Sequence, residues 1–412
     1  MTDSPQDNEL RVLVIATTFP RWEGDAEPRF VFDLTKRLAK KVSLRALVPH
    51  APSAQEHETL EGVRIIRYPY AYPKSSQVLC YEGGILPKLK SNPNAKKQLP
   101  GFLLAQAYHI WRTVRKYRIN LIHCHWIVPQ GFFVSLLNAV TGVPFLLTAL
   151  GGDVYAFPNN PIARYIKRFA LSRSKACAVN SLSVRESLQA IHPEGNYPYL
   201  PNGVDEKVFR PERHDPGLKS KLGIEGPFLL GVGRFAEKKG FRYLIDAMPE
   251  ILAEEPSAHL VLVGFGPEET ALKQQVQKLG LEGKVIFPGP KSGEELAGYY
   301  ATADIFIGPS VIAESGDTEG QGVVFLEALA SKTAVVASEV GGIVDMIKDG
   351  ETGLTVPQKD SPALAEKIIA LCKNPELKQK LAENGRRLVE ENYSWDAIAE
   401  KYLELYRTIT RS

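Results

Sequence analysis

Cysteine is scarce and scattered in this 412-residue chain. Cys80, Cys124, Cys177 and Cys372 form no C-x-x-C pair, which excludes a disulfide-built scaffold, and a reducing cytoplasm is the expected compartment. Long apolar runs are missing too. The longest, around Gly131–Leu137, falls well short of the ~18 residues of a membrane span. The amino-terminal Met1–Arg11 is polar and acidic, unlike a secretory signal. No short repeat or low-complexity tract occurs. What is present is an ordinary globular composition, 44% hydrophobic and 24% charged, which excludes disordered, collagenous and coiled-coil chains. The length suits two or three domains of ~100–200 residues.

Net charge is only +3, yet the halves differ. Residues 1–205 hold 25 Lys and Arg against 15 Asp and Glu, and residues 206–412 hold 25 against 32. Either the first half meets something anionic or the surface is unevenly charged by accident. Ile85–Phe102 carries Lys88, Lys90, Lys96 and Lys97 among Pro87, Pro93 and Pro100, followed by Tyr108 and Trp111. The prolines are expected to prevent one long helix. Lysines beside an aromatic segment fit an anionic lipid surface, and equally a solvated loop.

The first half opens with a buried-strand pattern at Arg11–Thr17, a loop from Phe19 to Arg29, a helix with Phe30, Val31, Leu34 and Leu38 apolar, and a strand at Val42–Val48. Further strands are expected at Leu121–Cys124, Phe145–Thr148 and Ala176–Val179, with helices at Leu103–Tyr117 and Gly131–Val140. The second half repeats the rhythm. Strands are expected at Phe228–Val232, His259–Val263, Val285–Phe287, Ile305–Ile307 and Ala334–Ala337, with helices at Phe241–Ile251 and Glu268–Leu279. Both halves read as open, mostly parallel α/β sheets, which bind ligands beyond the carboxyl ends of their strands. Pro201-Asn202-Gly203 marks the join. Asn392–Ile409 is a helical pattern with Trp395, Ile398, Tyr402 and Leu405 on one face.

Two segments could carry chemistry. Gly231-Val-Gly-Arg-Phe-Ala-Glu-Lys-Lys-Gly240 lies between a strand and a helix. Its glycines admit a ligand to the backbone, and Arg234 and Lys239 offer a fork and a point charge to a diphosphate. A charged connecting loop is the plainer alternative. The segment matches neither the P-loop nor the G-x-G-x-x-G pattern, so ATPase and NAD readings gain nothing. In Thr318-Glu-Gly-Gln-Gly-Val-Val-Phe-Leu-Glu-Ala328, Glu319 precedes the helix Val323–Ala330 and Glu327 lies inside it. The N–H groups near Gly322 and Val323 are free for hydroxyls or phosphate, and carboxylates accept from sugar hydroxyls. Glu319 would otherwise complement the helix dipole and Glu327 would be a surface residue. His123 and His125 share a strand face, but no third ligand accompanies them, so no metal is expected.

Gly-Arg-(x4)-Lys-Gly followed by Glu-(x7)-Glu resembles the family 4 retaining glycosyltransferases. Phe19-Pro-Arg-Trp, His123-Cys-His-Trp126, Gly151-Gly-Asp-Val154, Pro201-Asn-Gly-Val-Asp205, Ala303-Asp304, Pro309-Ser310 and Gly341-Gly342 also fit, so the resemblance covers almost the whole chain. It implies an α/β fold of GT-B type, with two Rossmann-like doubly wound domains facing a central cleft. Residues 1–203 would bind the acceptor and 204–391 the nucleotide sugar, with the helix in 392–412 crossing back to the first domain. Arg234 and Lys239 would hold the donor diphosphate, Glu327 the ribose, and Glu319 the transferred sugar near its reacting carbon, making Arg234, Lys239 and Glu319 the catalytic set. Gly233, Lys291, Gly322 and Val323 would complete the donor site, with the loop Pro288–Lys291 bordering the base.

Two departures stand out. Leu150 occupies the place where the family carries a His, so that donor contact is absent or supplied elsewhere, and Pro28 and Arg29 stand where a glycine is often found. Arg29, His125 and Asp153 are the acceptor-side candidates. The implied reaction is retaining transfer of a sugar from a nucleoside diphosphate to an acceptor hydroxyl, in polysaccharide or glycolipid assembly, without metal or other cofactor. A glycan or lipid-linked acceptor, a cytoplasmic location and an anionic membrane surface on its inner face are the expected partners and setting; nucleic acid is not. The competing readings are a glycan phosphorylase, a nucleotide-sugar hydrolase, and a catalytically silent donor-binding subunit.

Overall fold

The structure is a computed structural model and describes residues 10–25, 27–81, 84–157 and 160–411. The acidic amino-terminal stretch and Ala26 of the first loop lie outside the described residues, as do the side chains of Pro87 and Lys90. The chain forms two compact units. One takes the residues up to Asn180, Val184–Leu200 and everything from Ile398 on; the other takes Ser181–Ser183 and Pro201–Ala397.

In chain order the first unit contains β1 (Arg11–Ile15), α1 (Phe30–Leu38), β2 (Ser43–Pro49), β3 (His57–Leu60), β4 (Val63–Tyr68), α2 (Ile85–Ser91), α3 (Pro93–Tyr117), β5 (Leu121–His125), α4 (Phe132–Thr141), β6 (Phe145–Ala149), α5 (Gly152–Tyr155), α6 (Pro161–Arg173), β7 (Ala176–Val179) and α7 (Leu182–Ile191). Its sheet runs β3-β4-β2-β1-β5-β6-β7, parallel except for the β3–β4 pair. Helices cover both faces, so the strands read as continuous apolar runs rather than alternating ones. Val12–Ile15 are fully buried. On β5, Ile122 and Cys124 join the core with Phe102 and Ile110, while His123 points to the other face.

As expected, residues 85–102 do not form one long helix: the chain breaks at the extended Asn92, just before Pro93, although the pieces on either side, α2 and α3, are both helical. Pro93 opens α3, where its missing N–H is no loss, and the Asn92 side chain caps the Asn94 N–H at 2.9 Å. Pro100 sits inside α3 and forfeits one helical hydrogen bond. Burial of Phe102 against the rings of Tyr68 and Tyr70 offsets that cost.

The second unit contains α8 (Leu218–Leu222), β8 (Phe228–Val232), α9 (Phe241–Glu254), β9 (His259–Val263), α10 (Glu269–Lys278), β10 (Val285–Ile286), α11 (Gly293–Thr302), β11 (Ile305–Gly308), α12 (Val323–Ala330), β12 (Ala334–Ser338), β13 (Leu354–Val356), α13 (Ser361–Lys373) and α14 (Pro375–Asn392). Its sheet is parallel throughout, in the order β10-β9-β8-β11-β12-β13. Asp304 ties the start of β11 down by accepting from the Phe228 N–H at 2.9 Å and from Lys219 at 2.7 Å.

Asn392 ends α14, and the last helix, α15, begins at Trp395 and runs to Arg411. Trp395 packs on Gly203 within the second unit, at a spot where a Cβ would strike the indole. From Ile398 onward the helix belongs to the first unit. There His123 Nδ1 meets the Tyr406 hydroxyl at 2.6 Å and its ring stacks on Tyr402. Tyr406, not Leu405, completes the buried stripe, because 395, 398, 402, 406 and 409 follow the helical period more closely.

Candidate active site

The loop after β8 is shaped by close backbone approaches. Gly233 has φ +155°, and its carbonyl lies where a Cβ on Gly264 would sit. Gly240 has φ +64°, and a Cβ there would overlap the Pro309 carbonyl. Only glycine serves at these points. The loop is then stitched to the segment after β11. The Val311 N–H donates to the Lys238 carbonyl at 2.8 Å, the Glu314 N–H donates to Glu237 Oε1 at 2.9 Å, and Lys238 pairs with Asp317 at 3.2 Å.

This stitching brings Lys239 to Glu319. Their Nζ and Oε2 lie 2.5 Å apart, with both side chains 14% exposed. Burial pushes the Glu319 carboxyl up, but the ammonium of Lys239, aided by Lys238, outweighs it and holds the group below its ordinary value. The main chain of Glu319 is clamped from behind. The Gly342 N–H donates to its carbonyl at 3.2 Å, and Gly341, at φ +54°, has no room for a Cβ against that same oxygen. Arg234 is exposed and holds no side-chain partner among the described residues. The buried Thr318 hydroxyl beside Glu319 is likewise unpartnered.

Gly322, in the left-handed region at φ +79°, opens α12. The first N–H groups of that helix, from Val323, have no intrahelical acceptor. Glu327 sits on α12, where Oε2 accepts from the Tyr300 hydroxyl at 2.8 Å. Burial pushes the Glu327 carboxyl up to about 7, against the smaller opposing pull of Tyr300 and Lys239. Gln321 exchanges two hydrogen bonds with Asn202, at 2.7 and 3.0 Å, which gives the Pro201-Asn202-Gly203 turn a structural purpose. Lys291 is not brought to this cluster. Its ammonium pairs with Glu295 at 2.7 Å, although the main chain of its loop adjoins the site through the Gly264 N–H to Gly289 carbonyl bond at 3.3 Å.

The three first-unit candidates fare differently. Arg29 is committed to Glu61 at 2.6 Å and lies over the Phe32 ring. Asp153 spends both oxygens on main chain, accepting from the Ile127 N–H at 2.7 Å and the Leu150 N–H at 3.1 Å. It thereby clamps the turn after β5 to the turn after β6. His125 is 2% exposed, and neither ring nitrogen has a partner among the described residues. Burial pushes its imidazole down to about 3, so it is neutral near pH 7. Two further buried oxygens without partners, Gln130 Oε1 and Asn180 Oδ1, lie just past the carboxyl ends of β5 and β7. No signal at sequence level pointed to Tyr300, Thr318, Gln130 or Asn180. Among the described residues no cluster of three or more His, Cys, Asp or Glu is placed to hold a metal ion.

A model of the group 1 glycosyl transferases matches residues 218–388, and one of glycosyltransferase family 4 matches residues 28–208. A GDP-mannose-dependent alpha-(1-6)-phosphatidylinositol monomannoside mannosyltransferase of Mycolicibacterium smegmatis is 30% identical over 404 residues, 96% of this chain and 97% of its own. The chain belongs to the family 4 glycosyltransferases. The N-acetyl-alpha-D-glucosaminyl L-malate synthase of Bacillus anthracis is 27% identical, over 76% of this chain and 81% of its own. Among solved structures, sucrose-phosphate synthase from Thermosynechococcus elongatus superimposes with a TM-score of 0.79 at 25% identity, covering 98% of this chain and 100% of that one. The fold of this glycosyltransferase is accordingly GT-B, two Rossmann-like units, and its activity is sugar transfer.

Proposed function

We propose that this glycosyltransferase moves a hexosyl group from a nucleoside diphosphate sugar to an acceptor hydroxyl with retention of anomeric configuration. The observation that carries the reading is the Lys239–Glu319 pair beside the unpartnered Arg234 and the opening turn of α12. Arg234 and Lys239 receive the diphosphate, whose charge grows as the glycosidic bond breaks, and Gly322 and Val323 add main-chain donors. Glu327 accepts from ribose hydroxyls. Glu319, ionised next to Lys239, faces the cationic character that develops on the sugar. The leaving phosphate oxygen takes the acceptor proton, so no separate base and no metal is required. The neutral His125, with Gln130 and Asn180, supplies the polar groups that receive the acceptor.

The mannosyltransferase relative acts on a phosphatidylinositol glycoside by its name, and a lipid-borne acceptor fits the cationic first half of this chain. No helix among the described residues is long and apolar enough to cross a membrane. On the lipid-borne acceptor we place the enzyme in the cytoplasm, working peripherally at the inner membrane face in glycolipid or polysaccharide assembly.

The test is thermal stabilisation by UDP-, GDP-, ADP- and dTDP-sugars, in wild type and Arg234→Ala. Binding at 100 times the dissociation constant stabilises the folded unit by about 2.7 kcal/mol. One base should shift the melting temperature and lose its effect in the variant. Equal shifts in both proteins would refute the donor assignment.

A further inference from the structure

The charge excess of the first half has a single source. Residues 83–185 contain 14 Lys and Arg and one acidic residue, Asp153. Asp153 is buried and engaged with main-chain N–H groups, so it places no charge on the surface. This stretch contributes α3, α4 and α6, which pack side by side over one face of the first sheet, with Phe132 of α4 against Phe169 of α6 at 5.8 Å.

The outward stripes of these helices are apolar as well as cationic. On α3, Leu104 is 73% exposed and Tyr108 52%, while Phe102, Gln106 and Ile110 occupy the buried side. On α4, Val140 is 70% exposed and Leu136 43%. On α6, Ile162 and Tyr165 are each 69% exposed. Exposed cations stand among them: Arg112, Arg115 and Lys116 on α3, and Arg164 and Arg168 on α6. Arg115 lies over the Trp111 ring at 4.8 Å and Arg173 over Phe169 at 5.2 Å. Elsewhere on the first unit several cations are paired with acids, as in Lys36–Glu61, Lys41–Glu400 and Lys74–Glu56.

We propose that the α3–α4–α6 face is the membrane-docking surface, seated on an anionic lipid bilayer through Leu104, Tyr108, Leu136, Val140, Ile162 and Tyr165 with the surrounding Lys and Arg on lipid phosphates. The inference rests on the lipid-borne acceptor proposed above and moves the contact from the Lys88–Lys97 segment to a three-helix face. The combination decides the occupant. A protein partner needs no three-helix surface of this breadth whose own helices carry no acid, and a second copy would set two like-charged faces together. Glu56, just before β3, borders the face beside Arg112 and Lys116. Tyrosines and aliphatic side chains beside Lys and Arg suit the depth of a headgroup layer, where apolar groups reach the acyl boundary and cations stay wet. Each cation near an anionic leaflet contributes about fivefold in partitioning.

The experiment is flotation of the full chain with phosphatidylcholine vesicles, with and without phosphatidylglycerol, at low and high salt. Wild type should float only with phosphatidylglycerol, and less at high salt. Two apolar variants, Leu104→Ser/Tyr108→Ser and Ile162→Ser/Tyr165→Ser, alter exposed side chains and should each lose most of the bound fraction. Arg115→Glu/Arg168→Glu should weaken partitioning by about 25-fold or more. Lys40→Glu/Arg407→Glu makes the same charge change away from this face and should float as wild type. Flotation of the apolar variants at the wild-type level, equal loss in the Lys40/Arg407 control, or a wild-type dimer in size-exclusion chromatography that these variants dissolve would each overturn the proposal. Donor-induced stabilisation is measured alongside. If it persists while wild type fails to float, docking falls and the sugar-transfer reading stands; flotation without any donor response falls on that reading instead.

Discussion

Replacing Glu327 by Gln should change the pH dependence of stability in a defined direction. In the folded protein burial raises the carboxyl from an ordinary 4.5 to about 7. The unfolded chain therefore ionises this group first as pH rises. Stability from this residue is fully present below about pH 4.5 and is lost progressively as pH approaches and passes 7. A displacement of this size corresponds to about 3 kcal/mol, and the partial exposure of the side chain lowers that to about 2–3 kcal/mol. Glu327→Gln keeps an acceptor for the Tyr300 hydroxyl but cannot ionise. Its stability relative to wild type should therefore rise between pH 5 and pH 8 by that amount, roughly 4–12 °C in the melting temperature of a unit of this size. The assay is thermal unfolding of both proteins across that range, followed by a probe of the second unit. The same group predicts that donor binding requires the carboxylate, so affinity should fall about tenfold per pH unit below 7, with proton release detectable by calorimetry in two buffers. Parallel stability profiles for wild type and Glu327→Gln would refute the reasoning.

Loss of Arg234 or Lys239 as alanine should lower turnover by about 10²–10³-fold, equivalent to about 3–4 kcal/mol, as for removal of a donor that meets developing charge. Lys239→Ala should also cost stability, because it strands a partly buried Glu319, and comparing the melting temperatures of the two variants separates the effects. Gly341→Ala should impair activity with the chain still folded, since a Cβ at φ +54° pushes on the Glu319 carbonyl; wild-type turnover would show that the clamp does not position Glu319. His125→Phe should remove an unsatisfied buried imidazole and leave or raise stability near neutral pH while reducing transfer. Because burial lowers the His125 value to about 3, the wild type loses stability as pH falls below 6.5, and the variant should be spared that part of the loss.

Much of the fold is visible in the residues because its strands are buried on both faces. Ala176–Val179, Phe228–Val232 and His259–Val263 are short, mostly apolar runs between turn residues, and each forms a strand at those bounds. β4 is harder to see. Arg64 and Arg67 interrupt its apolar run, and Arg67 is nonetheless fully buried, held by Glu58 and by the carbonyls of Gln55 and Pro20. That compensation comes from a neighbouring strand and a distant loop, which no local pattern reveals. β3, with its polar His57-Glu58-Thr59, exists as the antiparallel partner that β4 requires.

The site divides along the same line. Arg234, Lys239 and Glu319 stand out because glycines that must admit backbone or ligand flank charges on short loops, and loop chemistry is local. The state of Glu327 is not local. It depends on Tyr300, 27 residues away on α11, and on packing that buries the carboxyl with no cation paired to it, so that Lys239 offsets the burial only in part. Arg29 shows the converse: Glu61, 32 residues on in sequence, pairs with it in the fold. A charge on a loop announces only that it can bind, and whether it is free to bind is decided by residues that the fold brings up from elsewhere. On that criterion Arg234 and His125 are the groups to mutate first. His125 is buried with neither ring nitrogen bonded among the described residues, so its imidazole has interactions still to make, and Arg234 stands exposed on its loop with no carboxylate competing for it there.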